Sequence, residues 1–214
     1  MSRPKRELRK KFIVFCEGDT EFHYIDHMRK NQGVEISLQV VNMKGGGYRN
    51  FLNEIRTKAN TNCLAKFIIV DADRIHSDPG EKTGFMELLE YCELQNKKRS
   101  VPHFLIVNNP DFEYIACLHI PAYKGQKTAA YIQDQLGFKN VAQFKNKEDI
   151  YAYLNRNNNS YQIMLDRIQE SPKAVKNRYK VKKKTFDIEI KKTELNLEAQ
   201  RGSNLEEFFD VIQW

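Results

Sequence analysis

The chain has only four cysteines, Cys16, Cys63, Cys92 and Cys117, and no two of them form a CxxC pair. That spacing excludes a zinc ribbon and a dithiol redox motif, and it leaves reduced, buried thiols as the expectation. Nowhere does the sequence approach the ~18 consecutive apolar residues of a membrane-spanning helix. The apolar run after the cationic N-terminus is cut by Glu17 too early to serve as the core of a signal peptide. A cytoplasmic protein without a membrane partner is the expectation. There is no internal repeat and no low-complexity linker, so the 214 residues are expected to pack as one unit. The glycine run Gly45-Gly46-Gly47 lacks the Lys-Ser/Thr of a phosphate loop and reads as a flexible turn.

What the chain does have is positive charge in clusters. The 35 Lys and Arg exceed the 28 Asp and Glu by 7, and the sequence pI is near 9.1. Residues 1–11 carry six cations, and the stretch from Lys173 to Lys184 carries seven in twelve positions, among them Lys176, Arg178 and Lys180. Clusters of this kind favour polyanions through counterion release. Nucleic acid, DNA or RNA, is the expected partner, with Lys173, Lys176, Arg178 and Lys180 as candidate phosphate contacts. Taken alone, either run also reads as a solvated basic face.

Apolar periodicity organises the first half. Strands are expected at 12–16, 34–43, 67–71 and 103–107, separated by helices at about 20–30, after the glycine run with Phe51, Leu52, Ile55 and Ala59, and at about 82–96. The first helix is expected to pack on Phe22, Ile25 and Arg29. Alternation of strand and helix with single-helix crossovers predicts an α/β fold, a small doubly wound and mainly parallel sheet of about four strands. Beyond residue 110 helices are expected at 111–119, 127–136, 147–156 and 161–169, with Gly137 a stop for the second. Ser171-Pro172 is read as opening a further helix to about Tyr179, followed by extended chain from Thr185 to Ile190. Alternation of Lys176, Arg178, Lys180, Lys182 and Lys184 leaves an edge strand there as the alternative. Ser203-x-x-Glu206 has the form of a capping box for a last helix. The expected organisation is a basic tail 1–11, an α/β core 12–120 and a mostly helical region 121–214 packed on it.

Acidic residues fall at the carboxyl ends of the apolar strands, where open α/β sheets bind ligands. Glu17 follows the first strand with Glu21 one helical turn on, Asp71 and Asp73 close the third, and Glu113 follows the fourth in Asn109-Pro110-Asp111-Phe112-Glu113. Converging carboxylates repel one another, and hard divalent ions with oxygen ligands relieve that repulsion. The candidate metal ligands are Glu17, Glu21, Asp71 and Asp73, for Mg²⁺ or Mn²⁺; Glu17 and Glu113 are the candidate catalytic carboxylates. Lys44, Arg74 and His76 lie at strand ends or loops beside them and suit charge stabilisation or a solvated role. His23 and His27 have a zinc-compatible i, i+4 spacing but no third ligand in view.

The segments FIVFCEGDTEFHY, FIIVDAD and NNPDFEYIACLHI, in this order, together with the closing Gly202-Ser203-Asn204-Leu205-Glu206, resemble the RloB-like family of bacterial phage-defence and restriction-locus proteins. That family is similar in turn to the Toprim fold of topoisomerases, primases and nucleases. The resemblance implies a Toprim-like sheet in which Glu17 matches the first-strand glutamate, Asp71 and Asp73 the metal-binding pair, Glu21 the extra acid of the nuclease branch and Glu113 a family-specific position. Leu118-His119-Ile120 departs from the aromatic ending usual after the last motif. The chain carries no ATPase, zinc-binding primase or topoisomerase-tyrosine domain, so ATP dependence implies a partner among other defence-system proteins. Three functions stay open: a Mg²⁺- or Mn²⁺-dependent nuclease in phage defence, a non-catalytic nucleic-acid- or effector-binding subunit, and a metal-dependent enzyme acting on a nucleotide. Oligomeric state is not legible from the residues.

Overall fold

A computed structural model describes residues 11–31, 37–44, 46–58, 62–98, 101–182, 185 and 187–212. Strands β1 (Lys11–Cys16), β2 (Ser37–Asn42), β3 (Ala65–Asp71) and β4 (His103–Asn109) are joined by helices α1 (Asp19–Asn31), α2 (Gly47–Thr57) and α3 (Pro79–Lys97). There follow α4 (Phe112–Cys117), α5 (Thr128–Asp134), α6 (Val141–Lys145), α7 (Ile150–Leu154), α8 (Tyr161–Glu170), β5 (Val175–Lys182), β6 (Asp187–Leu195), β7 (Gly202–Ser203) and α9 (Glu206–Ile212).

The main sheet has five strands in the order β2-β1-β3-β4-β7, the first four parallel and β7 antiparallel to β4. Alternation along the strands divides the core in two. Phe12, Val14, Phe67, Ile69, Phe104 and Ile106 face a layer containing α1 and the helices after β4. Ile13, Phe15, Ile68, Val70, Leu105 and Val107 face α2 and α3. Both faces are covered, which is why these strands read as unbroken apolar runs. The α/β class and the mainly parallel sheet agree with the sequence reading.

Several local expectations are corrected. The segment after Pro172 is strand, and β5 and β6 form an antiparallel hairpin. Val175 and Asn177 are buried while Lys176, Arg178, Lys180 and Lys182 are exposed, so the period of two recorded packing on one side, and cross-strand pairing outweighed the capping signal. Besides helices α5 to α9, the region after residue 120 carries this hairpin and returns a fifth strand to the core sheet. Ser203 does not immediately precede α9 but lies in β7, its hydroxyl donating to Asn108 Oδ1 at 2.9 Å and accepting from the Leu205 amide at 3.0 Å. On α1 the buried face is Tyr24, Ile25 and Met28, and Arg29 turns outward to Asp26. Helix α6 had no counterpart in the sequence reading. The basic tail 1–10, residues 34–36 of the second expected strand, Gly45, Ala59 and Lys184 lie outside the described residues.

Gly202 makes the return of β7 possible. A β-carbon there would stand 2.0 Å from the Pro172 carbonyl oxygen and 2.5 Å from Ser171 Oγ. Gly202→Ala is expected to destabilise the fold by about 2–3 kcal/mol, because the obstruction is backbone and β7 must lift from β4. Urea unfolding checks this, and a change below about 0.5 kcal/mol speaks against a tight seat for β7.

Candidate functional site

In the order β2-β1-β3-β4 the chain leaves β1 toward β2 and then crosses back to β3, so the switch in winding direction lies between β1 and β3. The crevice beyond the carboxyl ends of those two strands is the expected ligand position in an open α/β sheet. Glu17 follows directly on β1, and its amide donates to Ile69 O at 3.1 Å, which extends the pairing by one residue. Asp71 ends β3, and its amide donates to Glu17 Oε2 at 2.9 Å. Tyr48, near the start of α2, donates its hydroxyl to the Asp71 carbonyl and ties that helix to the same spot.

The helices complete the ring. Gly18 has no side chain, and a β-carbon on it would be 3.2 Å from Glu21 Oε2, so glycine at this position lets Glu21 fold back over the strand end. Thr20 donates its hydroxyl to Glu113 Oε1 at 2.6 Å, which links α1 to α4. Asp111 caps α4 by accepting from the Tyr114 amide at 2.8 Å. Arg167 on α8 donates to the carbonyls of Leu118, Ile120, Tyr123 and Pro121, holding the turn that follows α4. Lys145, the last residue of α6, brings its ammonium to 3.1 Å from Glu113 Oε2.

Glu17, Glu21 and Glu113 are all buried. Burial, then the charges of Glu113 and Glu17, push Glu21 up to about 8. Desolvation, then Glu21, Glu113, Glu17 and Asp111, hold the Asp71 carboxyl well above the ordinary carboxylate range. Glu17 is raised chiefly by burial and lowered in part by the Asp71 amide. Asp111 is raised by burial and by Glu113. Among the described residues, Glu21 Oε1 is buried with no hydrogen-bond partner.

The structure thus brings Glu17, Glu21, Asp71 and Glu113 into one electrostatic cluster. Asp73 stands apart in the exposed turn after β3, where its charge still raises Glu17. Arg74 is exposed in the same turn and draws Glu17 down; Lys44 and His76 are exposed. The donors suit a hard divalent ion, being carboxylate oxygens of which one has no partner. Among the described residues, however, no three His, Cys, Asp or Glu side chains are arranged to hold a metal ion as they stand. Both Glu113 oxygens are engaged, by Thr20 and Lys145.

The cationic candidates lie elsewhere. Lys173 is paired with Glu206 at 2.9 Å and donates to the carbonyl of Ile168. Lys176, Arg178 and Lys180 project from the exposed face of β5, where Arg178 meets Glu194 at 3.1 Å and Lys180 stands opposite Glu189. Asn177 donates to Leu105 O and Tyr179 packs on Phe104, so β5 runs toward the amino end of β4. Lys180 and Lys182 line a groove of about 1140 Å³ with Asn96 and Pro102, at the sheet edge opposite the acids. Thr20, Lys145 and Asp111 escaped the sequence reading. For Thr20 a signal existed, its place between the two glutamates; for Lys145 there was none. Compared with models of known protein families, with curated proteins and with solved structures, the chain finds no match.

The raised Glu21 carboxyl makes a pH prediction. Below about pH 4.5 the folded and unfolded chains both hold this proton, and its stabilising contribution is complete. Between there and about pH 8 the unfolded chain has released the proton and the folded chain keeps it, so stability falls by up to about 1.4 kcal/mol per pH unit. Burial holds His103 and His119 down near 4 and 3, which works in the opposite sense below their ordinary range, so a difference measurement is needed. In chelator, Glu21→Gln should match wild type near about pH 5 and exceed it by a few kcal/mol near about pH 8. A pH-independent difference in urea unfolding counts against the raised carboxyl.

Proposed function

We propose that the chain is a Mg²⁺- or Mn²⁺-dependent nuclease whose active site is the acidic crevice between β1 and β3. One observation carries this reading: among the described residues, four carboxylates share the switch point with a single ion-paired ammonium, and Glu21 Oε1 is buried there without a partner. A cation is the missing element. Glu17, Glu21, Asp71 and Glu113 would hold it, with Asp73 at the exposed rim. Bound there, a divalent ion supplies Lewis-acid polarisation of a phosphodiester and an acidified water.

The chain's own groups do the rest. Glu17, held through Oε2 by the Asp71 amide and raised in pKa, has Oε1 left to exchange a proton as general acid or base. Glu113, fixed through Oε1 by Thr20, keeps negative charge beside the reacting position. Arg74, exposed next to Glu17, meets the incoming phosphate. Lys176, Arg178 and Lys180 contact the polyanion at a distance from the chemistry. The Toprim-like assignment, the role in bacterial phage defence and any ATPase partner rest on the resemblance of the motifs.

A second reading, a non-catalytic nucleic-acid- or effector-binding subunit, has in its favour that β5 leads away from the carboxylates. It expects tight binding without metal and no turnover.

The test is incubation of the purified chain with Mg²⁺ or Mn²⁺ and a panel of DNA, RNA and nucleotides. Wild type should cleave a polymer, and Glu17→Gln or Asp71→Asn should reduce the rate by about 100-fold or more with the fold retained. Metal-independent binding with no cleavage of any substrate selects the second reading. Replacing Lys176, Arg178 and Lys180 with Gln should weaken binding and lower the log-log salt slope by roughly 0.7–0.9 for each phosphate that the variant no longer neutralises. An unchanged slope assigns these cations to a solvated face.

A further inference from the structure

Among the described residues, the acidic crevice has one ion-paired cation, and it comes from a later helix, α6. Lys145 follows Glu113 by 32 residues in the sequence, and its Nζ stands 3.1 Å from Glu113 Oε2. Its side chain is 46% exposed while that of Glu113 is 5% exposed, so the stem enters from the surface and the ammonium sits at the mouth of the buried acids. The position is built rather than incidental. Phe144 beside it is fully buried, and Asn140 caps the short helix by accepting from the Gln143 amide at 2.8 Å. Asp71 and Glu21, besides Glu113, act on the ammonium electrostatically.

Two features mark this arrangement as one that accepts another cation. Glu21 Oε1 is buried and unpartnered, so a lysine alone leaves the cluster unsatisfied. An ammonium on a four-carbon stem is a point charge that can withdraw into water, whereas a guanidinium would grip the carboxylate through two bonds. A divalent ion beside Glu113 would stand within a few ångströms of Nζ, where like charges repel strongly.

Resting on the metal reading above, we propose that Lys145 is the resident counter-cation of the crevice and that a divalent ion enters by displacing its ammonium from Glu113. Lysine and metal compete for the same carboxylate, and Lys145 sets the divalent concentration at which the site fills.

The probe is Mn²⁺ alone, titrated calorimetrically into the full chain without nucleic acid. Lys145→Met, which keeps the stem and removes the charge, should bind Mn²⁺ about tenfold more tightly than wild type. Lys145→Arg should bind no more tightly than wild type. In chelator, Lys145→Met should melt at lower temperature than wild type, and saturating Mn²⁺ should raise its melting temperature by more than it raises that of wild type. Lys145→Gln provides the same comparison should the methionine variant fail to fold. Equal Mn²⁺ affinity in wild type and Lys145→Met, or weaker binding in the variant, overturns the competition and leaves the metal reading standing. Absence of Mn²⁺ binding in both proteins overturns the two together.

Discussion

Crowding of negative charge at the β1–β3 switch point is the constraint from which the rest of this structure follows. Buried carboxylates resist ionisation, and burial together with the neighbouring charges pushes Glu21 up to about 8 here. The neighbouring features each ease the same difficulty. Gly18 leaves room for Glu21 to fold back, Thr20 gives a hydroxyl to Glu113, the Asp71 amide takes one oxygen of Glu17, and Lys145 supplies positive charge. A fold that needed only stability would be better served by apolar residues at these positions. Retaining the acids at the place where an open α/β sheet receives its ligand is the physical argument for a functional site.

The region after β4 is what makes that crevice possible. A parallel sheet ending at β4 would leave an open row of backbone groups. Here Asn204 accepts from the Val107 amide at 2.8 Å and donates to Leu105 O at 3.0 Å, so one side chain stands in for a neighbouring strand. Asn177 donates to the same Leu105 carbonyl, and Glu207 accepts from both the amide and the side chain of Asn177. Ser203 reaches Asn108, whose side chain lies toward Asp71. Two runs of hydrogen bonds, meeting at the adjacent residues Ser203 and Asn204, therefore tie the sheet edge to the acidic cluster and to the hairpin.

The same connectivity explains why charge on this protein is divided between two ends. The cations of β5 belong to a strand whose buried face follows β4 toward its amino end, and Lys176, Lys180 and Lys182 stand opposite Glu194, Glu189 and Asp187 of β6. The acids of the crevice belong to the carboxyl ends. One molecule that engages both must be long, with about 3.3 Å of sheet for every strand residue between them.

Strands β1, β3 and β4 were legible because burial on both faces demands unbroken apolar runs, and the acids at their ends were legible because they interrupt those runs abruptly. The turn at Gly137, which adopts a φ of 73°, was legible for the reason that few other residues take that conformation readily. Residues 173–179 were read as helix, with an edge strand as the alternative, because a serine-proline start is a local signal, while the pairing of β5 with 187–195 depends on a partner that local signals do not name. Helix α6 was missed because five residues are too few to show a period. Sequence by itself determined the α/β class, the parallel strands and which carboxylates lie at their tips, since these depend on neighbours along the chain. Only the tertiary structure decided that Lys145 meets Glu113, that Asp73 stands outside the buried cluster and that the basic strand faces away, because each is a matter of which distant surfaces must be buried together.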